Sequence, residues 1–127
     1  MAKEMTLKEI QKLQKDFNNK YFGKYWGKKE GDIEHKIQFM KDMTIALTGE
    51  LGEFANIIKK VNRDHNNLGK GLSDVRVEKL KEELTDCFIY LIILSNILDM
   101  NIEKHFLSKT KFNEKRFKQR LIKPFEL

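Results

Sequence analysis

The segment EELTDCFIYLIILSNIL, residues 82–98, decides the fold. From Cys87 onward it is apolar on nearly every face of a helix, yet it opens on Glu83 and Asp86, three residues apart. A helix of this kind is buried on several sides. A chain of 127 residues has few other elements to bury it. Either it is a central helix wrapped by the rest, or part of its surface faces a second copy. Small domains gain much from a shared core, so the second arrangement is expected. The apolar run 87–94 falls far short of the roughly 20 residues that cross a bilayer, so no integral membrane protein is expected.

Working outward, the remaining segments read as helices too. Pro124 is the only proline, and Lys, Glu and Leu abound. Thr6 with Glu9 three residues on is a capping-box pattern, and Leu7, Ile10, Leu13 and Phe17 follow as an apolar stripe. Residues 18–32 carry Gly23, Gly27 and Gly31 among aromatics and lysines and are expected to form a loop. A second helix is expected over 33–61, with Ile33, Ile37, Met40, Leu47, Leu51, Phe54 and Ile58 as its main stripe. Residues 62–73, NRDHNNLGKGLS, read as a second loop. The third helix is expected over 74–99 with Asp74 as its N-cap, and the fourth over 102–120. The fold class is therefore all-α, a single domain over 1–127 with no internal repeat.

Twenty-five Lys and Arg stand against nineteen Asp and Glu, a net charge of +6. Such a balance suits a polyanionic partner, and nucleic acid, nucleotide phosphates and acidic membrane all qualify. The lone Cys87 excludes an intrachain disulfide and a Cys-rich zinc site, and fits a reducing cytoplasm. The first ten residues carry Lys3, Glu4, Lys8 and Glu9, so no secretory signal is expected.

The chemistry lies in two carboxylate pairs. Glu50 and Glu53 share one helix face, within about 60° of each other, with Met43, Ala46 and Ile57. Glu83 and Asp86 repeat that spacing in a stripe with Tyr90, Ile93 and Ile97. Burying an unpaired carboxylate costs several kcal/mol, so facing pairs call for a cation between them. One reading makes them surface acids, partnered by Lys79 and Lys81 near Glu83 and by Lys59 and Lys60 beyond Glu53. The other, which is the expectation, is a metal site. The chain has no Glu-x-x-His, the element of di-iron bundles. An all-carboxylate donor set favours Mg²⁺ or Mn²⁺ over Zn²⁺ or Fe²⁺, and Mg²⁺ so held completes its shell with water and phosphates. Gly49 and Gly52 flank Glu50, either to open space beside the carboxylates or to let helices pack closely.

Lys109, Asn113 and Arg116 recur on one face of the fourth helix, flanked by Lys111 and Lys115, in a row suited to phosphate oxygens or simply to solvent. Trp26 could stack on a base or cap the core, and His35 could reach a ligand or serve the start of its helix.

Glu50-Leu51-Gly52-Glu53, then Glu83-Leu84-Thr85-Asp86, with Lys109, Asn113 and Arg116 downstream, resembles the MazG-type all-α nucleoside triphosphate pyrophosphohydrolases. The resemblance covers about 33–120. It implies a four-helix core completed by pairing of subunits, in a homodimer or homotetramer. It implies Mg²⁺-dependent cleavage of a (deoxy)nucleoside triphosphate between the α and β phosphates. Carried over by position, Glu50, Glu53, Glu83 and Asp86 hold metal, and Lys109, Lys111, Asn113 and Arg116 bind phosphates. Glu53 is the expected general base. Trp26, His35 and residues 62–73 are candidates for reading the base. The stretch 54–82 is long for the family. The rival is a non-catalytic basic module that binds nucleic acid or a protein partner; nucleic acid is not expected as a partner of the enzyme.

Overall fold

The computed structural model describes residues 3–26 and 33–122, the side chains of 24–26 and 122 excepted. Four helices follow in order: α1 Leu7–Trp26, α2 Ile33–Leu68, α3 Asp74–Ile97 and α4 Ile102–Ile122. Among the described residues there is no strand. The most extensive packing is α2 on α3; α1 also lies on α3, and α4 docks chiefly on α1. Cys87, Ile92 and Ile93 of α3 form the buried apolar centre. Among the described residues no single helix is long and apolar enough to cross a membrane.

The start of α1 is the expected capping box. The Thr6 hydroxyl accepts the Glu9 N–H at 3.1 Å, and the Glu9 carboxylate accepts from the Thr6 hydroxyl at 3.2 Å. The expected loop over 18–32 is corrected: residues 18–26 continue the helix, with a local departure at Phe22 (φ −127°, ψ 22°). Local pairing outweighs the cost of Gly23, about 1 kcal/mol. Gln14 donates to buried Asn18 at 2.6 Å, and Phe17 packs on Tyr21 with ring centroids 4.9 Å apart. Residues 27–32 lie outside the described residues.

The second loop is also corrected. Residues 62–68 are helical, and the connection shrinks to 69–73. Asn, Asp and His lower helix propensity only mildly, and the real stop is Gly69. Gly69 takes φ +67° and donates its N–H to the His65 carbonyl at 2.9 Å, a left-handed cap. The chain then folds back so closely that a Cβ at Gly71 would collide with the Val61 carbonyl. Arg76 fastens this turn, donating to the Gly71 carbonyl at 2.9 Å and to Asp64 at 2.7 Å. Arg63 pairs with the other Asp64 oxygen at 2.9 Å. Arg63 first, then Arg76, holds the Asp64 carboxyl down at about 2. Ser73, not Asp74, is the N-cap of α3, accepting the Arg76 N–H at 3.3 Å.

At the other end of α3, Asp99 adopts φ +54° and the chain turns into α4. Gln11 of α1 ties this corner together. Its amide donates to Met100 O at 2.7 Å, Ser95 Oγ at 3.0 Å and Asn96 Oδ1 at 3.3 Å, and its oxygen accepts the Ile102 N–H at 3.2 Å.

The expected main stripe of α2 is only partly covered within one chain: Met40, Leu47 and Phe54 are half-buried. Ile33, Ile37, Leu51 and Ile58 are exposed, as are Leu84, Phe88 and Leu91 of α3. The half-buried face of α2 also bears Met43, Ala46, Glu50 and Ile57.

Candidate metal centre

The α2–α3 packing brings three carboxylates together. Glu50, Glu83 and Asp86 each offer an oxygen, and these oxygens lie within 4.8 Å of one another. Glu83 is the floor of the group at 4% exposure, while Glu50 and Asp86 are half-buried. Helix geometry explains the convergence. Glu83 and Asp86 sit one turn apart on α3, and Glu50 meets them from the half-buried face of α2. The hydroxyls nearby turn away from the group: Thr48 donates to Thr44 O at 2.9 Å and Thr85 to Lys81 O at 2.7 Å.

The group is electrostatically unsatisfied. Glu83 Oε2 is buried and has no hydrogen-bond partner among the described residues. Almost all buried polar atoms find a partner, so such an atom needs an explanation. The neighbouring Glu50 carboxylate, then burial, pushes the Glu83 carboxyl above its ordinary range, while Glu53 and Lys79 pull it down. Burial chiefly, with the charges of Glu50, Asp86 and Glu83, pushes the Cys87 thiol up as well. Oxygen donors alone, crowded and without counter-charge on their buried side, match the requirements of a hard divalent cation.

Glu53 stands beside the group rather than within it. It is exposed, yet near enough to Glu83 and Lys79 to bear on both. The surface-acid reading holds only at the rim. Lys79 lies 3.8 Å from Glu83 Oε1, whereas Lys81 turns to Glu78 at 3.1 Å. Lys59 and Lys60 form no ion pair among the described residues. At Gly49 and Gly52 nothing lies within 4 Å of where a Cβ would stand, so neither glycine serves close packing within this chain.

A match over residues 38–121 to the family model of the MazG nucleotide pyrophosphohydrolase domain accompanies this geometry. The chain belongs to the MazG family. It is similar to dCTP pyrophosphatase 1 of Homo sapiens, 29% identical over 120 residues, which is 94% of this chain and 64% of that protein. It is also similar to the Gene 37 protein of Mycobacterium phage L5, 34% identical over 70 residues, 55% of this chain and 58% of that protein. The chain thus spans less than two thirds of the length of these relatives.

The MazG match contains all four expected metal carboxylates and the α4 row, but starts beyond Trp26 and His35. On α4, the Lys109 ammonium lies 4.9 Å from the Phe112 ring centroid and the Arg116 guanidinium 5.4 Å from that of Phe117. Lys111 is exposed, and Asn113 is half-buried with its Oδ1 buried and unpartnered. Among the described residues no hydrogen bond or ion pair joins this row to the carboxylates, and α4 docks chiefly on α1. His35 is half-buried in the first turn of α2, about 22 Å of helix rise from Glu50. The Trp26 side chain lies outside the described residues. Sequence spacing marked the two acid pairs but not which three members converge. Spacing could not make that choice, because Glu53 is as much in step with Ala46 and Ile57 as Glu50 is with Met43 and Ile57.

Proposed function

We propose that this chain is a Mg²⁺-dependent nucleotide pyrophosphohydrolase that cleaves (deoxy)nucleoside triphosphates between the α and β phosphates. The observation that carries the proposal is the buried, unpartnered Glu83 oxygen in a group of three converging carboxylates. Family membership supplies the reaction class.

Glu50, Glu83 and Asp86 would hold the metal. A bound Mg²⁺ would offset the triphosphate charge and acidify a water molecule. Exposed Glu53, beside the group, accepts the proton of the attacking water as general base. The new O–P bond forms at the α-phosphorus, the bridging bond to the β-phosphate breaks, and pyrophosphate leaves with the electron pair. Lys109, Lys111, Asn113 and Arg116 bind phosphate oxygens and Trp26 contacts the base, whereas His35, about 22 Å of helix rise from Glu50, reaches the base only from a second copy. The fold is one domain over 1–127 acting as a homodimer or homotetramer. The exposed apolar residues of α2 and α3 support this reading, because a second copy would cover them. The lone Cys87 suits a cytoplasmic setting.

The test is product analysis with Mg²⁺ and a nucleotide panel headed by dCTP, the nucleotide in the human relative's name. Monophosphate plus pyrophosphate, lost with EDTA and with Glu83→Gln, is the expected result. Diphosphate plus phosphate refutes the bond assignment. No turnover, with nucleic-acid binding that falls steeply with salt and ignores Mg²⁺, favours the basic binding module. Sedimentation velocity tests the assembly, and a monomer at micromolar concentration refutes it.

A further inference from the structure

We propose that Lys79 is the resident counter-cation of the carboxylate group and turns to the substrate's phosphates once a divalent metal ion takes its place. This rests on the pyrophosphohydrolase reading above.

Among the described residues, Lys79 is the only cation ion-paired to Glu50, Glu83 or Asp86. Its Nζ stands 3.8 Å from Glu83 Oε1 and 3.5 Å from Glu82 Oε2. Glu53 on the facing helix also acts on it, so the ammonium lies where both acid pairs are felt. The two partners of the Lys79–Glu83 pair differ sharply in freedom. The Glu83 side chain is 6% exposed and fixed, whereas that of Lys79 is 54% exposed. Lysine carries a compact charge on a flexible stem, and both contacts are longer than a tight ion pair of about 2.8 Å. The ammonium is therefore held by charge rather than by shape. A divalent cation among the carboxylates outcompetes it for Glu83. The displaced ammonium then sits at the rim of a site to which a triphosphate brings several negative oxygens.

Three variants test this: Lys79→Met, Lys79→Arg and Glu82→Gln. Mn²⁺ binding is measured first, by electron paramagnetic resonance without nucleotide. Loss of a half-exposed competing cation should tighten Mn²⁺ binding about two- to fivefold in Lys79→Met, and Lys79→Arg should match wild type. With triphosphate, Lys79→Met should raise KM about tenfold, the worth of one charge-assisted contact, while kcat changes less than twofold. Pyrophosphate inhibition should weaken in parallel, monophosphate inhibition should hold, and Lys79→Arg should restore both. Glu82→Gln should leave KM unchanged. Unaltered or weaker Mn²⁺ binding in Lys79→Met, an unaltered KM, or the same KM change in Glu82→Gln would each overturn the proposal. Failure of the pyrophosphohydrolase reading is seen separately, as wild-type protein that neither binds Mn²⁺ nor releases pyrophosphate, and it would remove the role of Lys79 with it.

Discussion

Replacing Gln11 tests how this small fold holds α1 and α4 to the end of α3. Gln11→Ala deletes the amide's two N–H donors, shared among Met100 O, Ser95 Oγ and Asn96 Oδ1, and its acceptor for the Ile102 N–H. The damage is uneven. Ser95 still donates to Ile92 O at 2.6 Å, and Asn96 still donates to the Gln11 backbone at 2.9 Å. Met100 O loses its shortest partner, and the Ile102 N–H is left open. At about 1 kcal/mol per bond, with the cleft lined by Lys8, Lys15, Asn96 and Asp99 admitting water to the vacated groups, the cost is about 2–4 kcal/mol. For a domain of this size that lowers Tm by roughly 8–15 °C. Urea unfolding followed by far-ultraviolet circular dichroism, at one fixed protein concentration, measures it. Gln11→Glu sharpens the test. It keeps an acceptor for Ile102 but turns a carboxylate toward the Met100 carbonyl. Protonation restores a donor, so the folded state binds the proton more tightly than the unfolded state. Stability of this variant should therefore rise as pH falls from 7 toward 5. A loss under about 1 kcal/mol for Gln11→Ala, or no pH response for Gln11→Glu, refutes the reasoning.

Glu83→Gln should raise the metal-free Tm at pH 8 and abolish Mn²⁺ binding. The raised Glu83 carboxyl makes its charge a cost above that pKa, and differential scanning fluorimetry would detect the opposite sign at once. Asp64, held at about 2, contributes stability above its unfolded value of about 3.9 that is lost as pH falls toward 2. Asp64→Asn should flatten that segment of a urea-midpoint profile against pH, and an unchanged slope would count against the ion cluster. Gly71→Ala forces a methyl group into the backbone carbonyl of Val61, which has no side-chain freedom to yield. It should cost about 1–3 kcal/mol in the same urea assay, and a neutral result would refute the close approach.

Much of this was legible in residue spacing. The Thr6–Glu9 box started α1 where it was expected, and the starts of α2 and α4 held as well. The i, i+3 acid pairs contain the three carboxylates that the structure brings together. What failed were the ends of helices. Residues 18–26 carry Asn18, Asn19 and Gly23 and residues 62–68 carry Asn62, Asn66 and Asn67, a composition that suggests loops. Their helical state depends on partners that composition does not reveal, such as the Gln14–Asn18 pair. The stop at Gly69 depends on a turn fixed by Arg76 and Asp64, twelve residues apart. The choice of Glu50 over Glu53 depends on the face that α2 turns to α3. The stripe from Ile33 to Ile58 is split within one chain: Met40, Leu47 and Phe54 are half-buried, while Ile33, Ile37, Leu51 and Ile58 stay exposed. The exposed members are the ones that the proposed second copy would cover.

The hairpin of α2 and α3 has a consequence for the order of assembly. All the acid pairs lie within residues 50–86, and the connection between their helices is short, so closing this hairpin costs little chain entropy. Local closures of this kind are fast, whereas the Gln11 contacts join residues more than eighty positions apart and reward the chain late. The like charges are thus driven together at a stage when little packing has yet been won. The barrier to folding then carries a repulsion that the rest of the molecule has not yet offset. Ionic conditions that quiet the carboxylates would act on the speed of folding as well as on the finished protein.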